Sequence, residues 1–380
     1  MNIKKICNRC IYDENVADIS FDSEGICNYC RRMEQMEEEY PVGDEGDRIL
    51  KNIVQQIKIS GKNSKYDCVV GVSGGTDSSF LLYKMKEMGL RPLAAFFDNT
   101  WNSTIATENI KKVTSKLKVD LFTIVVNNKE YDDIYRSFLK AGVPDIEAPT
   151  DIGFAATHFR AAEKFKIKYV IEGHSFRTEG ISPLGMLYMD GKYIKTIQKQ
   201  FGTYRTETYP NMSLLNMLKW MVVKRIKKIR PLYYIDYQKE KVKEFLADEF
   251  GWQWYHGHHL ENRFTAFYHS YFLPKRFGID TRSNGFAALV RSGQMDRNEG
   301  LRLMDEPPYL ENELIDLVKK RIGFSDKEFE DIMNLPKKNY TDYKTYKRTF
   351  ERMRLFFWLM YKMDLIPKSF YLKYTVKHEI

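Results

Sequence analysis

Residues 67–79, DCVVGVSGGTDSS, constrain the fold more than any other part of this chain. A short apolar run (Cys68, Val69, Val70, Val72) meets a small polar turn at 73–78, and an amphipathic run follows from Ser79 to Met88. The pattern predicts a buried parallel strand, a tight turn and a helix start. Gly74 and Gly75 let the backbone approach an anion with no Cβ in the way. The first-turn amides of the helix, with the positive end of its dipole behind them, then face that anion. Ser73, Thr76 and Ser78 add hydroxyl donors. Asp77 would repel a bare phosphate, and makes sense as the holder of a hard cation such as Mg2+ that bridges phosphate oxygens.

The turn has no Lys and does not follow the G-x-x-x-x-G-K-[ST] spacing of a Walker A loop. It resembles the SGGxDS signature of the PP-loop ATP pyrophosphatase superfamily, whose members cradle the pyrophosphate of ATP and cleave between its α and β phosphates. The resemblance implies an ATP site at Val72, Ser73, Gly74, Gly75, Asp77 and Ser78, with Asp77 on Mg2+.

Beyond the turn, strands and helices alternate. Strands are expected at 92–97, 119–126 and 167–171, and helices at 104–117, 130–140 and 151–165, the last with Asp151 as N-cap. The alternation predicts an α/β fold with a doubly wound parallel sheet, in which ligands bind outside the carboxyl ends of the strands. Three polar clusters end successive strands there: 73–78, Asp98-Asn99 and Glu172-Gly173-His174. The superfamily resemblance, spanning about 66–235, makes the fold adenine nucleotide alpha hydrolase-like (HUP-like). It implies Asp98 near the adenosine, and Gly173 and His174 on the α-phosphate side. It puts Arg177 and Glu179 where many relatives carry an acidic Mg2+ ligand, and it matches Arg230-Pro231-Leu232 to an element that follows the insert.

Four of the five cysteines, Cys7, Cys10, Cys27 and Cys30, form C-x2-C-x16-C-x2-C. That spacing suits a structural zinc site whose four thiolates close a tetrahedral shell. An iron–sulfur cluster is the alternative metal. The intervening residues are short and turn-rich and need a metal to fold; disulfides fit the spacing and the cytosolic-looking start poorly. Three regions are expected: a cysteine knuckle and linker (1–45), a nucleotide domain (46–237) and a mainly helical region (238–380).

Within these, 34–46 is expected as an acidic linker, 48–60 as a helix and 188–193 as a hairpin on a D-G turn. Residues 213–228 are expected as a basic amphipathic helix that could instead dock on a membrane, RNA or a partner. Helices are also expected at 238–250, 285–292, 297–304 and 310–321, with a capping box at Ser325. A basic, aromatic helix at 340–363 is expected to pack through Phe350, Leu355, Phe356 and Leu359. No 18-residue apolar run and no apolar leader occur, so neither a transmembrane helix nor a signal peptide is expected. The expected location is cytoplasmic, with a membrane surface as a second possibility. The net charge of +9 suits an anionic partner without choosing among nucleotide, membrane and nucleic acid.

The knuckle, the SGGTDSS loop, the segments 258–265 (HHLENRFT) and 273–282 (LPKRFGIDTR), and Ser292-Gly293-Gln294-Met295 with Arg297 occur together. In this the chain resembles the N-acetyl sugar amidotransferase family of bacterial surface-polysaccharide pathways. The resemblance implies adenylation of an N-acetyl oxygen on a UDP-linked sugar, then replacement of that oxygen by ammonia to give an acetamidino sugar. Asp77, Ser73, Ser78 and His174 would carry the reaction, and His258, His259 and Arg263 would hold the anionic substrate. A glutaminase needs a nucleophilic cysteine. The remaining Cys68 lies in the expected strand, so a separate glutaminase subunit is expected to supply ammonia. The rival expectations are a tRNA-thiolating PP-loop enzyme and a zinc-ribbon nucleic-acid-binding protein, with nucleic acid the less favoured partner.

Overall fold

A computed structural model of the chain describes residues 5–181, 183, 187–255, 257, 260–363 and 365–376. Helices α1 (Asn28–Glu39) and α2 (Asp44–Gly61) precede the sheet. Strand β1 (Cys68–Gly71) leads to α3 (Thr76–Glu87), β2 (Pro92–Asp98) to α4 (Thr104–Leu117), and β3 (Leu121–Val125) to α5 (Asn128–Ala141) and α6 (Ala148–Lys164). Strand β4 (Tyr169–Ile171) follows, then α7 (Gly191–Phe201), α8 (Leu214–Leu218), a π-helical segment (Lys219–Val223) and β5 (Lys227–Ile229).

The five strands are all parallel in the order β3-β2-β1-β4-β5. Because side chains alternate across a strand, β1 feeds two cores. Cys68 and Val70 pack with Leu50, Leu81 and Leu246 on one face, while Val69 packs with Phe159, Trp220 and Phe357 on the other. The chain leaves β1 for β2 on one side and later returns to pair β4 on the other. A crevice therefore opens at the carboxyl end of β1, the topological switch point. Local chemistry starts the flanking helices: the Ser103 hydroxyl accepts from the Ala106 amide where sequence expects α4 to begin, and Asn127 accepts from the amides of Lys129 and Glu130, starting α5 two residues before the expected position.

The C-terminal half is helical: α9 (Lys239–Phe250), α10 (Arg263–Phe267) with a π-helical continuation (Tyr268–Phe277), α11 (Arg282–Arg291), α12 (Arg297–Asp305), α13 (Leu314–Ile322), α14 (Asp326–Met333), α15 (Lys347–Arg352), α16 (Arg354–Lys362) and α17 (Lys368–Thr375). It shares a core with the sheet layer. Trp101, past β2, is fully buried against Phe264, its indole N–H donates to Asp132 at 2.7 Å, and the Arg321 guanidinium lies 4.0 Å above the ring. The Ser325–Glu328 capping box forms as its residues demand. Among the described residues, no helix is long and apolar enough to cross a membrane.

Several expected elements take another form. The acidic stretch 34–46 is no linker: α1 runs through Glu39 and α2 begins at Asp44 with Asp44, Glu45 and Asp47 in its first turn, where the dipole favours carboxylates. Asp190 and Gly191 make no hairpin, because the Asp190 carboxylate accepts from the Tyr193 amide at 2.7 Å and caps α7. Helix α3 starts at Thr76 and not at Ser79, and α6 is capped from Glu147 with Pro149 in its first turn and not from Asp151. The basic run 213–228 breaks after Val223, and Lys227–Ile229 adds an edge strand beside β4. The segment 340–363 is three short helices. Phe350 is buried as expected, but Leu355, Phe356 and Leu359 face solvent, and Phe357 and Met360 fill the core instead.

That reversal predicts unequal costs on one helix. Phe357→Ala should destabilise by about 3–5 kcal/mol, whereas Leu359→Ala should stay within about 0.5 kcal/mol. Urea unfolding of the two variants followed by far-UV circular dichroism measures both.

Candidate functional site

The turn after β1 is held open from within and from outside. Gly74 has φ +83°, and a Cβ there would lie 2.2 Å from the Ala106 carbonyl oxygen, so α4 can approach only glycine. The Gly74 carbonyl accepts from the Trp252 indole at 2.9 Å and from the Asn109 amide at 3.2 Å. Asn109 also brackets Gln253, donating to its carbonyl and accepting from its amide. The Ser78 hydroxyl accepts from the Ser73 amide at 3.2 Å, and Ser73 Oγ accepts from the Gly75 amide at 3.3 Å. The turn is thus closed by its own hydroxyls, and Gly75 stands at the N-cap of α3 with the Tyr255 hydroxyl beside it.

In front of the turn lies a cavity of about 190 Å³. Ser73, Gly75, Thr76, Asp77 and Ser78 form its floor, and Gly173 and His174, after β4, form one side. Glu179, Lys239, Trp254, Tyr255 and Glu261 complete the wall. Asp77 is gripped: the Tyr237 hydroxyl donates to Oδ1 and Lys239 Nζ lies 3.6 Å from Oδ2. Glu179 is partly buried and accepts from the Ser175 amide at 3.2 Å. Its low-dielectric surroundings, and then the nearby Asp77 charge, push its carboxyl up to about 8. Glu261 Oε2 is buried with no partner among the described residues. Asp77, Glu179 and Glu261 line one cavity without their oxygens meeting as a ready ligand set, and the unpartnered Glu261 oxygen is the feature that a divalent cation carrying phosphates would satisfy. Such an ion, once bound, would neutralise phosphate charge.

The sequence-derived residues are distributed unevenly. Ser73, Gly75, Asp77, Ser78, Gly173, His174 and Glu179 converge on the cavity, with His174 Nδ1 3.0 Å from the Tyr233 hydroxyl. Gly74 and Val72 lie beneath it, Val72 in the core. Asp98 is the last residue of β2, its carboxylate accepting from the Thr100 amide at 2.8 Å and from Asn102. Arg177 lies away from the cavity, donating to the carbonyls of Tyr40 and Tyr233. Arg263 is part-exposed and 3.5 Å from Glu311. His258 and His259 fall outside the described residues. Arg230 and Lys228 flank Glu172; although burial alone would raise that carboxyl, the two cations hold it well below the usual carboxylate range.

The sequence does not place Tyr237 and Lys239 at the site, and it assigns no role to Trp254, Tyr255 and Glu261, within or just before the 258–265 segment. They stand about 160 residues or more beyond the loop, and no spacing rule links them to it; a Lys at the start of a helix reads as solvated.

The four cysteines meet as one centre. Their sulfur atoms all lie within 4.8 Å of one another, with Cys7–Cys30 at 3.8 Å, Cys10–Cys27 at 3.7 Å and Cys27–Cys30 at 3.6 Å. Four thiolates about one tetrahedral ion at a metal–sulfur length of about 2.3 Å stand about 3.8 Å apart. A cubane cluster would spread them more widely. Arg291 donates to the sulfurs of Cys10 (3.2 Å) and Cys30 (3.4 Å), which suits anionic thiolates. The centre therefore fits one metal ion.

The two-glycine loop, the five-stranded parallel sheet and the switch-point cavity define the class: a parallel α/β fold with a PP-loop-type turn, a four-cysteine N-terminal knuckle and a helical C-terminal region. Residues 261–356 match the family model "LPS biosynthesis protein WbpG-like, C-terminal domain". Uncharacterized protein MJ1599 of Methanocaldococcus jannaschii is 28% identical over 172 residues, 44% of this chain and 58% of that protein. The tRNA-specific 2-thiouridylase MnmA of Proteus mirabilis is 34% identical over 134 residues, 31% of this chain and 36% of the relative. The chain thus matches between a third and three-fifths of these relatives' length. Among solved structures, NMN synthetase from Francisella tularensis aligns at TM-score 0.31 and 13% identity, over 75% of this chain and 95% of its own. The NH3-dependent NAD synthetase from Campylobacter jejuni aligns at TM-score 0.31 and 15% identity, over 77% and 98%.

A carboxyl raised in the folded state favours folding at low pH, and that advantage is lost as pH climbs from its ordinary value of 4.5 towards about 8. Without ligand, Glu179→Gln should therefore gain thermal stability over the parent between pH 5 and pH 8, with no further gain above about pH 8.5. Melting temperatures across that range check it; a constant gap would show that Glu179 titrates normally.

Proposed function

We propose that the chain is the synthetase subunit of an ATP-dependent amidotransferase that converts the N-acetyl group of a nucleotide-linked acetamido sugar into an acetamidino group. The observation that carries this reading is that Glu261, the first residue of the WbpG-like match, lines the same cavity as the Ser73–Ser78 floor. The nucleotide loop and the domain that marks the family thus meet at one place.

An amide oxygen is a weak nucleophile and a poor leaving group, so ammonia cannot displace it unaided. Attack of that oxygen on the α-phosphorus of ATP expels pyrophosphate and ties the oxygen to AMP. Ammonia then adds to the carbon, a proton is lost from nitrogen, and the carbon–oxygen bond breaks with AMP as leaving group, taking the original oxygen with it. The chain's part is to orient the reactants and meet the charge that builds on the leaving pyrophosphate. The α3 amides, the hydroxyls of Ser73 and Ser78 and the ammonium group of Lys239 stand where the loop would present that charge. Asp77 would hold Mg2+, with Glu179 and Glu261 on the same cavity wall, and His174, fixed through Tyr233, would stand on the α-phosphate side. The cysteine centre would hold zinc in a structural role.

Ammonia would come from a separate glutaminase. Cys68 is wholly buried in β1 and burial pushes its thiol up, so it offers no thiolate to glutamine or to a persulfide. The second reading, tRNA thiolation, draws on the thiouridylase match; it lacks a reactive cysteine near the cavity among the described residues.

With Mg2+, ammonium chloride and UDP-linked diacetamido sugars, the purified chain should release AMP and pyrophosphate, and should not use glutamine alone. Asp77→Asn should lower AMP release by about 100-fold or more, while Cys68→Ser should leave it within about threefold. ADP as product, or sulfur transfer to tRNA lost in a cysteine variant, would overturn the reading. Metal analysis should find one zinc per chain, and Cys30→Ser should lose it and lower the unfolding midpoint.

A further inference from the structure

Helix α16 turns an apolar face to solvent. Leu355, Phe356, Trp358, Leu359 and Met363 are 38–72% exposed, while Phe357 and Met360, on the other side, are buried. At 100° per residue the five exposed side chains fall on one continuous arc. The face has a basic rim. Residues 344–373 hold eight Lys and Arg against two acidic residues. Arg348, Arg352, Arg354 and Lys362 are exposed, and none has a carboxylate partner among the described residues. Lys362 instead lies over the rings of Trp358 and Tyr361. The neighbouring segment of the same core layer repeats the pattern. Met217, Trp220 and Met221 pack with Phe350 and Phe357. Leu215 and Val223 are 78% and 73% exposed, Val223 is followed by exposed Lys224 and Arg225, and Lys219 between them pairs with Glu163 at 2.7 Å.

We propose that this face is a docking surface for an anionic lipid bilayer, with the α16 apolar arc seated at the headgroup–acyl boundary and the basic rim on the lipid headgroups. Bulky apolar side chains with an amphipathic Trp, beside a rim in which cations outnumber carboxylates, match the composition that binds membrane interfaces. A nucleic acid would match the charge but would leave the apolar centre without a partner. A protein interface would favour a rim of mixed sign. The proposal is independent of the reaction at the cavity, because none of these residues lines it.

The test is flotation of the full chain with vesicles of phosphatidylcholine alone, or of phosphatidylcholine containing about three parts in ten phosphatidylglycerol, at moderate salt. About tenfold more protein should float with the anionic vesicles. Trp358→Ser/Leu359→Asp and Arg352→Glu/Arg354→Glu should each lose that binding by about tenfold, with AMP release and unfolding midpoint unchanged as proof of folding. Equal recovery on both vesicle types, or undiminished binding by either folded variant, would overturn the proposal. So would a dimer that Leu359→Asp dissociates, which would assign the face to a second copy. Salt-sensitive RNA binding lost in the arginine variant but not in the Trp358/Leu359 variant would assign it to nucleic acid.

Discussion

Asp77 sits at the second position of a helix whose first-turn amides attract anions, and its own charge opposes that attraction. The arrangement holds because Asp77 is given partners: the Tyr237 hydroxyl and the Lys239 ammonium group, both from the region just before or at the start of α9. The turn is likewise held from a distance by Trp252 and Asn109, which share the Gly74 carbonyl. An anion site built from backbone donors must stay open. Here that openness is maintained by segments from the second half of the chain, which clasp the loop without filling it.

The same logic reaches the N-terminal knuckle. Arg291 bonds two of the cysteine sulfurs and Arg297 the carbonyls of Cys7 and Cys10, so α11 and α12 are built against the centre. Past the end of α11, Ser292 donates to the Arg177 carbonyl, and Gln294 bonds both the Tyr237 carbonyl and the Lys239 amide. A continuous line of contacts therefore runs from the cysteine centre to the two residues that hold Asp77. This ties the cysteine centre to the wall of the cavity through the packing of α11 and α12.

Particular elements show what could be read in advance. The β1-turn-α3 unit was legible because its apolar run, paired glycines and helix start are local and each has one conformational solution. Helix α4 was legible for a similar reason, with Ser103 to cap it. The 213–228 segment was not, since its basic, periodic pattern suits a helix and only the open edge beside β4 recruits Lys227–Ile229 as a strand. Nor was the inward face of α16. Phe357 and Leu359 are equally apolar, and which of them is buried depends on the rotation at which the short helix docks.

From residue order alone came the parallel α/β class, the two-glycine strand-to-helix turn and the convergence of four cysteines, because each is encoded by neighbours within a few residues or by a spacing that a metal demands. Tertiary structure alone decided the rest of the cavity. Lys239, Trp254, Tyr255 and Glu261 reach the loop only after α9 packs on α3 and the WbpG-like segment closes over Trp101. A contact between residues so far apart in the chain has no local signature; it exists only as the outcome of packing.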